Sequence, residues 1–229
     1  ETVLYSKKGD IASIVLNRPN EINSFSIQMR DDLYQALEAM RDDPDVRVAV
    51  VSGAGERGFC AGADLTEFGT APSQVIARDV RWERDLWGFF QMVGKPIIAV
   101  LHGYVIGSGI EIACPCDLRL ASEDAVFHMP EAGLGMVPAA GGTQTLPRVV
   151  GVGRAQDVLL TGRQVLAPEA KRMGLVHRVV ARDELMPEAE RLADVIASLD
   201  PHAVYAARTA VAEGMDLPLD EGLALERRL

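Results

Sequence analysis

Two glutamates and one glycine turn hold the residue types that could act together in catalysis. Glu111 occupies the predicted first turn of a helix, directly after the glycine-rich stretch 107–110. Glu131 follows Pro130 in a loop that leaves a predicted strand, and the turn 60–64 lies well upstream. Paired carboxylates at the ends of rigid elements are what water addition or proton transfer requires. We therefore expect an enzyme whose site is assembled from three segments.

The glycine-rich stretch before Glu111 supplies a second chemical feature. It follows an apolar run and opens a helix, where unpaired backbone N–H groups and the positive end of the dipole favour developing negative charge. Ser108 is not expected to be a nucleophile, because the serine-hydrolase elbow needs glycine two places before the serine and Ile106 stands there. A dinucleotide fingerprint is excluded too, since Ile112 occupies the place of its third glycine.

Composition limits the remaining classes of function. The chain has 229 residues, is 48% hydrophobic and carries a formal charge of −10, so we expect an acidic, soluble protein that does not bind nucleic acid. Its three cysteines fit neither a disulfide framework nor the usual zinc spacings, and no metal site is predicted. No apolar run reaches the length of a membrane span and no secretory pattern opens the chain. We therefore expect a cytoplasmic protein without membrane contact.

The hydrophobic pattern alternates between strands and helices and predicts an α/β fold. The predicted strands are 11–16, 46–51, 96–101, 118–121 and 175–180, and the predicted helices are 27–40, 108–116, 154–160 and 168–173. From residue 184 onward the pattern is purely helical, with Asp200 as a cap and Gly214 as an end. We predict a core at residues 1–190 that carries the active site and a helical region at residues 191–229, whose last helix looks incomplete.

Several motifs occur in the order and at the spacing of one enzyme family. They are GFCAGADL at 58–65, HGYVIGSGIE at 102–111, the segment 130–135 with its proline, glutamate and glycines, and GGTQ at 141–144. In these motifs the chain resembles the enoyl-CoA hydratase/isomerase (crotonase) family, and the likeness runs over nearly its whole length. The resemblance implies a spiral of repeated strand-strand-helix units followed by C-terminal helices that assemble a homotrimer or a dimer of trimers. It also implies acyl thioesters of coenzyme A as substrates and no separate cofactor.

The resemblance assigns roles to individual positions. Backbone N–H groups of Ala63 and Ser108 would form an oxyanion hole for the thioester carbonyl. Preorganised donors of this kind stabilise the enolate that forms when a nucleophile adds to the β-carbon. Glycine lets backbone approach closely there because it lacks a Cβ. The expected substrate-binding residues are Ala61, Gly62, Asp64, Leu65, Gly107 and Gly109.

Both glutamates of the family's hydratases are present, as Glu111 and Glu131. In those enzymes the pair holds one water, which adds across the double bond of a trans-2-enoyl thioester. We assign Glu111 to orienting and deprotonating the water and Glu131 to delivering the α-proton. The leading hypothesis is therefore an enoyl-CoA hydratase. The alternatives are another reaction on an acyl-CoA (double-bond isomerisation, ring hydration or thioester hydrolysis) and a non-catalytic assembly protein.

Some residues have a simpler structural interpretation. Taken alone, Glu111 could be a first-turn acid that stabilises its helix, and Glu131 could be a surface residue of a loop. Asp64 is expected to pin its turn through backbone hydrogen bonds, and Cys60 to be a small buried residue that could still react with alkylating agents. His102 and His128 are expected to be structural. The aromatic cluster at residues 82–90 could be core or the wall of an acyl pocket.

The chain departs from the family in one charged position. Members often carry a basic residue just after the turn 60–64 that meets a phosphate of coenzyme A, but Thr66 and Glu67 stand there. Arg18, Lys95 or a basic residue of a neighbouring subunit are the candidates for that contact.

Overall fold

A computed structural model describes residues 1–73, 75–76 and 84–229. The described strands are β1 (Val3–Lys8), β2 (Ile11–Leu16), β3 (Val48–Gly53), β4 (Gly58–Cys60), β5 (Ile97–Leu101), β6 (Tyr104–Ile106), β7 (Leu118–Ser122), β8 (Val126–His128), β9 (Val165–Leu166) and β10 (Arg178–Val180). The described α-helices are α1 (Ile27–Asp42), α2 (Leu86–Met92), α3 (Ser108–Ala113), α4 (Gly142–Val150), α5 (Val152–Thr161), α6 (Ala167–Met173), α7 (Leu185–Ala197), α8 (Pro201–Gly214) and α9 (Leu219–Glu226). Short 3-10 turns connect several of these elements.

Two sheets form the framework of the protein. The larger has the strand order β1-β2-β3-β5-β7-β10, in which only the β1–β2 pair is antiparallel. The smaller has the order β4-β6-β8-β9, with β4, β6 and β8 parallel and β9 antiparallel. Parallel neighbours need crossover segments, and helices supply many of them. The predicted α/β class is confirmed.

In helix α1 the capping residue and the buried apolar face both match the sequence pattern. Ser26 caps it by accepting a hydrogen bond from the N–H of Met29, which satisfies one of the donors left unpaired at a helix start. The four apolar residues at helical spacing in the sequence are all fully buried: Met29, Leu33, Leu37 and Met40. Each such burial contributes about 1.5–3 kcal/mol. The prediction of this helix is confirmed, with its end two residues later than expected.

Two predicted strand boundaries are wrong. The strand predicted at 46–51 is β3, at Val48–Gly53, because the N–H of Val46 closes a turn with the Asp43 carbonyl. The strand predicted at 175–180 is confined to β10. The N–H groups of Leu175 and Val176 bond back to the Ala170 carbonyl and finish α6, so they are not available to a sheet.

The sequence pattern also missed or overextended short elements. Helix α3 ends three residues before the predicted 116, and β1, β4, β6, β9 and α4 were not predicted. The strand expected before Glu131 is β8. Three-residue strands are too short to show an alternating pattern, and α4 contains Pro147, which is unusual inside a helix.

The last three helices differ in how firmly they join the core. Leu185 and three alanines of α7 pack over the face of the larger sheet that carries Val48, Val50 and Ile98. The predicted boundary near residue 190 thus falls inside a helix that belongs to the core packing. Asp200 caps α8 as predicted, by accepting from the N–H of Ala203, and Arg208 ties α8 to Asp117 at 2.8 Å.

In the described parts of the chain, no helix is both long and apolar enough to cross a membrane.

Candidate active site

Three predicted site segments meet because their strands are parallel neighbours. In the smaller sheet Cys60 is opposite Val105, and Ile106 is opposite His128. The carboxyl ends of parallel strands lie at the same edge of a sheet, and ligands commonly bind there. The turn after β4, the entry into α3 after β6 and the loop after β8 therefore converge, as the sequence predicted.

Glycines make the convergence possible. A Cβ on Gly107 would lie 2.5 Å from Oε1 of Glu131 and 3.7 Å from the Cα of Gly62. A Cβ on Gly109 would lie 2.7 Å from the carbonyl oxygen of Cys60. Gly107 also has φ of +50°, which L side chains adopt only with strain. Any other residue at 109 would push against the backbone of β4, and any other residue at 107 would displace the Glu131 carboxyl and strain the backbone.

Among the described residues, the two backbone amides proposed for the oxyanion hole take no part in the local backbone hydrogen bonds. Phe25 pairs with the turn after β4 through the Gly62 carbonyl and the Asp64 N–H, so this bridge leaves out the N–H of Ala63. Ser108 is the first residue of α3, and its N–H therefore has no acceptor within that helix. Both residues line the same cleft.

Glu111 is held by backbone donors. It is only 3% exposed, and its Oε1 accepts hydrogen bonds from the N–H groups of Ala140 at 2.9 Å and Gly142 at 3.0 Å. A Cβ on Gly142 would lie 2.9 Å from that same oxygen, so this position also requires glycine. These bonds fix the orientation of the carboxylate at the start of α4.

The opposite end of α3 is anchored by a buried arginine. Arg119 donates from Nη1 to the carbonyls of Cys114 and Cys116, and from Nε to the carbonyl of Leu175 at 2.7 Å. A cation at the C-terminal end of a helix meets the negative end of its dipole as well as its unpaired carbonyls. Arg119 thereby fixes the helix that carries Ser108 and Glu111.

Glu131 lies in a different environment. It opens a 3-10 turn after β8, is half-buried, and within the described residues its Oε2 has no hydrogen-bond partner. Burial raises the pKa of the Glu131 carboxyl above its ordinary value, against smaller opposing effects of its own backbone N–H and of His128. A raised pKa favours the protonated form, which suits a proton donor.

A single cleft of about 750 Å³ joins these groups. Both glutamates, Ala63 and Ser108 line it. Its apolar walls include Phe25, Trp87, Leu134, Met136 and Val137. The volume is within the usual range for a small-molecule site.

The aromatic cluster divides between the two interpretations offered by the sequence. Leu86, Phe89 and Phe90 are buried in the core. Trp87 lies on the cleft wall, with its ring centroid 5.7 Å from that of Phe25. Trp82 lies outside the described residues.

The remaining predicted binding residues lie either on the cleft wall or behind it. Ala61, Gly62, Asp64, Leu65 and Gly107 line the cleft, whereas Gly109 packs behind its wall against Cys60. The Asp64 carboxylate accepts from the hydroxyl of Thr66 at 2.6 Å and from its N–H at 3.1 Å, and it pairs with Arg18 at 2.9 Å. The Thr66 hydroxyl, and next the Arg18 guanidinium, lower the pKa of Asp64. Asp64 thus pins its turn as expected.

The two candidates named for phosphate recognition are committed elsewhere. Arg18 bonds Ser24 and Asp64, while Nζ of Lys95 donates to the carbonyls of Met40 and Asp43. Neither is on the cleft wall, because both side chains are used to tie loops to the core. The basic residues on the described part of that wall are Arg30 and Arg84, which the sequence analysis missed.

The histidines have structural surroundings, and Cys60 is buried as expected. Nε2 of His102 lies 3.0 Å from the Gly55 carbonyl, and Nε2 of His128 lies 2.7 Å from the Gly162 carbonyl. Cys60 is fully buried, and burial raises the pKa of its thiol to about 12, which disfavours the thiolate that alkylation requires. Among the described residues, no group of three or more His, Cys, Asp or Glu is arranged to hold a metal ion.

The amide donors to Glu111 were also missed. Gly142 was part of the motif at 141–144 and Ala140 precedes it, but nothing in the local pattern showed that their N–H groups face a glutamate about 30 residues away. The consecutive glycines 141 and 142 were the available signal, because such a pair often marks backbone that must approach another group closely.

Comparisons with known proteins agree with this geometry. A sequence-family model described as enoyl-CoA hydratase/isomerase matches residues 6–229. The short-chain-enoyl-CoA hydratase of Clostridium acetobutylicum is 36% identical over 98% of this chain and 86% of its own length. The crotonyl-CoA hydratase of Syntrophomonas wolfei is also 36% identical, over 99% of this chain and 87% of its own length.

Solved structures give the same result for the fold. A crystal structure of an enoyl-CoA hydratase from Bacillus anthracis superposes with a TM-score of 0.93 at 36% identity, covering 100% of this chain and 89% of that one. A second, from Geobacillus kaustophilus, gives 0.93 at 38% identity, covering 100% and 88%. The predicted crotonase-like fold is therefore confirmed. By the family match and by these identities, the chain belongs to the enoyl-CoA hydratase/isomerase family.

Proposed function

We propose that this enzyme adds water across the 2,3 double bond of a trans-2-enoyl-CoA thioester to give a 3-hydroxyacyl-CoA. One observation carries the proposal: Glu111, Glu131 and the backbone of Ala63 and Ser108 all line the same cleft. This arrangement provides both parts of the chemistry, donors for an oxyanion and two acids for a water molecule. The names of the related hydratases support the same reaction.

The thioester carbonyl is placed between the N–H groups of Ala63 and Ser108. As oxygen adds to the β-carbon, the electron pair of the double bond shifts and negative charge develops on that carbonyl oxygen. Donors already in place stabilise this charge without having to reorganise, and losing one costs on the order of 3 kcal/mol. The glycines around both amides allow the substrate to approach the backbone.

The two glutamates divide the proton chemistry. Glu111, oriented by the Ala140 and Gly142 amides, takes a proton from the water as its oxygen attacks the β-carbon. Glu131, whose raised pKa favours the protonated form, gives a proton to the α-carbon. The enolate collapses to the 3-hydroxyacyl thioester, and the proton gained by Glu111 returns to Glu131 through the next water. The net change is addition of one water, and coenzyme A takes part only as a portion of the substrate.

The test is hydration of crotonyl-CoA by the purified protein. Loss of the absorbance of the conjugated thioester, with 3-hydroxybutyryl-CoA as the product, is the expected result. An isomerised product from a longer 2-enoyl-CoA would show that the same cleft moves double bonds instead. No change in substrate at several chain lengths would refute the proposal.

We further propose that the protein assembles as a homotrimer or a dimer of trimers in the cytoplasm. The terminal helices support assembly, since they leave large apolar side chains in solvent, among them Val211 at 67% and Leu219 at 78% exposure. The three free cysteines support a reducing compartment. Light scattering coupled to size exclusion tests the mass, and a monomer across micromolar concentrations would contradict the assembly.

A further inference from the structure

Two arginines bridged by one aspartate stand on the wall of the cleft. Nε and Nη2 of Arg30 donate to Oδ1 of Asp31 at 3.0 and 2.8 Å. Nη1 of Arg84 lies 3.1 Å from Oδ2 of the same aspartate. Both arginines, but not Asp31, line the cleft that holds Glu111 and Glu131.

The charges around the cleft make this cluster distinctive. The other ionisable side chains on the described wall are four acids, Asp64, Glu67, Glu111 and Glu131. Three of them are already engaged: Asp64 pairs with Arg18, Glu67 accepts the N–H of Ile27 at 2.8 Å, and Glu111 accepts two backbone amides. The chain as a whole carries −10. Among the side chains of the described wall, Arg30 and Arg84 are therefore the cations that would attract a negatively charged portion of a substrate.

The bridge leaves the cluster able to bind a second anion. Two guanidinium groups share one carboxylate, so the trio keeps one net positive charge. Each guanidinium carries five N–H donors in a planar fork; Asp31 accepts two hydrogen bonds from Arg30 and forms an ion pair with Nη1 of Arg84. The Arg30 side chain is only 14% exposed and Arg84 is 46% exposed, so one cation lies deep in the wall and the other nearer to solvent.

We propose that Arg30 and Arg84 form a subsite for an anionic group of the thioester substrate. The inference rests on the proposed function, because it assumes that a thioester occupies this cleft. Two portions of such a substrate can bring the anion: a phosphate of coenzyme A, or a carboxylate at the far end of the acyl chain. Each can accept paired N–H donors from a guanidinium.

Steady-state kinetics with four substrates tests the subsite and identifies the anion. Crotonyl-CoA is compared with crotonyl-pantetheine, which lacks the phosphates, and trans-2-hexenoyl-CoA is compared with its six-carbon analogue that ends in a carboxylate. Arg30→Gln and Arg84→Gln are each expected to raise KM about tenfold for the substrate that carries the recognised anion, relative to its counterpart. A rise for the CoA thioesters alone assigns the phosphate, and a rise for the carboxylate-bearing chain alone assigns the acyl end.

A purely structural role for the cluster makes a different prediction for Asp31. If the trio only ties α1 to the segment before α2, Asp31→Asn should impair the enzyme as the arginine variants do, equally for all four substrates. If the trio is a subsite, Asp31→Asn frees both cations and lowers KM for the anionic substrate. Arg41→Gln is the matched control, because Arg41 also lies on α1 and pairs with the following aspartate but is outside the cleft wall.

An equal change in kcat/KM for all four substrates would overturn the subsite. Failure of the wild-type protein to hydrate any of them would instead refute the proposed reaction. Calorimetric binding of butyryl-CoA and butyryl-pantetheine to the same variants then tests the subsite without catalysis, and equal affinities of wild type and arginine variants for both ligands would refute it.

Discussion

The surroundings of Glu111 and Glu131 differ, although both acids line one cleft. Glu111 lies on a helix, is almost fully buried and accepts two backbone N–H donors. Glu131 lies in a 3-10 turn, is half-buried and, within the described residues, has one carboxyl oxygen without a hydrogen-bond partner. Directed hydrogen bonds thus hold the Glu111 carboxylate in place, whereas removal from water raises the pKa of the Glu131 carboxyl.

This difference gives a physical basis for dividing the chemistry. A base that must aim a water molecule benefits from a fixed orientation, which the amides at 140 and 142 provide for Glu111. An acid must hold its proton at the working pH, and burial favours that for Glu131.

Removing either acid should have the largest effect. We expect Glu111→Gln and Glu131→Gln each to lower kcat for crotonyl-CoA hydration by about a hundredfold to ten-thousandfold, since an acid or base contributes about that much. Both variants should fold, because a glutamine introduced at position 111 keeps a side-chain oxygen that can accept the bonds from 140 and 142. Glu169→Gln, a surface residue paired with Arg163, serves as the control. Near wild-type kcat in either variant would remove that glutamate from the mechanism.

Methyl groups placed beside each acid should show whether the position of its carboxyl group matters for catalysis. Gly142→Ala puts a Cβ 2.9 Å from Oε1 of Glu111, and Gly107→Ala puts one 2.5 Å from Oε1 of Glu131. We expect both to lower kcat, about tenfold or more, because a misplaced group loses catalysis steeply. Gly107→Ala should also lower the unfolding free energy by about 1–3 kcal/mol, since its φ is positive.

Gly153→Ala is the matched control for these glycine variants. Gly153 lies in α5 with no heavy atom within 4 Å of an added Cβ. We expect unchanged kcat and a small gain in stability, because alanine is the better helix former. An unchanged kcat in Gly142→Ala as well would mean that the position of the Glu111 carboxylate does not matter.

The pH dependence should follow Glu131. Its pKa is raised in the folded state, so its proton is bound more tightly there than in the unfolded chain. The stability linked to this proton is present below the ordinary glutamate pKa and is lost as pH rises through the folded pKa. Glu131→Gln should therefore raise the melting temperature relative to wild type at neutral pH, and the difference should disappear in acid.

The pH dependence of kcat tests the Glu131 carboxyl independently. We expect the wild-type kcat to fall on the alkaline side as Glu131 loses its proton, as measured by a pH profile of crotonyl-CoA hydration. A pH-independent stability difference, or an alkaline limb that persists unchanged in Glu131→Gln, would contradict the role of a buried proton donor.

The smallest effect is expected at Cys60, which lies beneath the entry to α3. Because its thiol is buried with a pKa of about 12, iodoacetamide should not modify it in the folded protein at neutral pH and kcat should not change. Mass spectrometry of the labelled peptides checks this, with denatured protein as the positive control. Rapid labelling of Cys60 would show that the α3 entry opens.

The sequence predicted the long periodic elements well and the short ones poorly. Helix α1 was recovered because four apolar residues repeat along one face and Ser26 caps it. The strands β4 and β6 were missed, and β8 was expected without bounds, because three residues do not make a pattern, although these strands hold the site. The loops that follow them were located through their glycines and acids, and their resemblance to a family gave the roles.

The order of amino acids specifies which groups are available: two glutamates, the glycines that permit close backbone approach, and the acidic balance of the chain. How these groups are used depends on the folded arrangement of the chain. Parallel pairing of β4, β6 and β8 brings the three loops to one edge. The start of α4 supplies the amides that hold Glu111, and burial sets the protonation of Glu131. Desolvation and directed hydrogen bonds depend on atoms that are far apart along the chain, so no local pattern contains them.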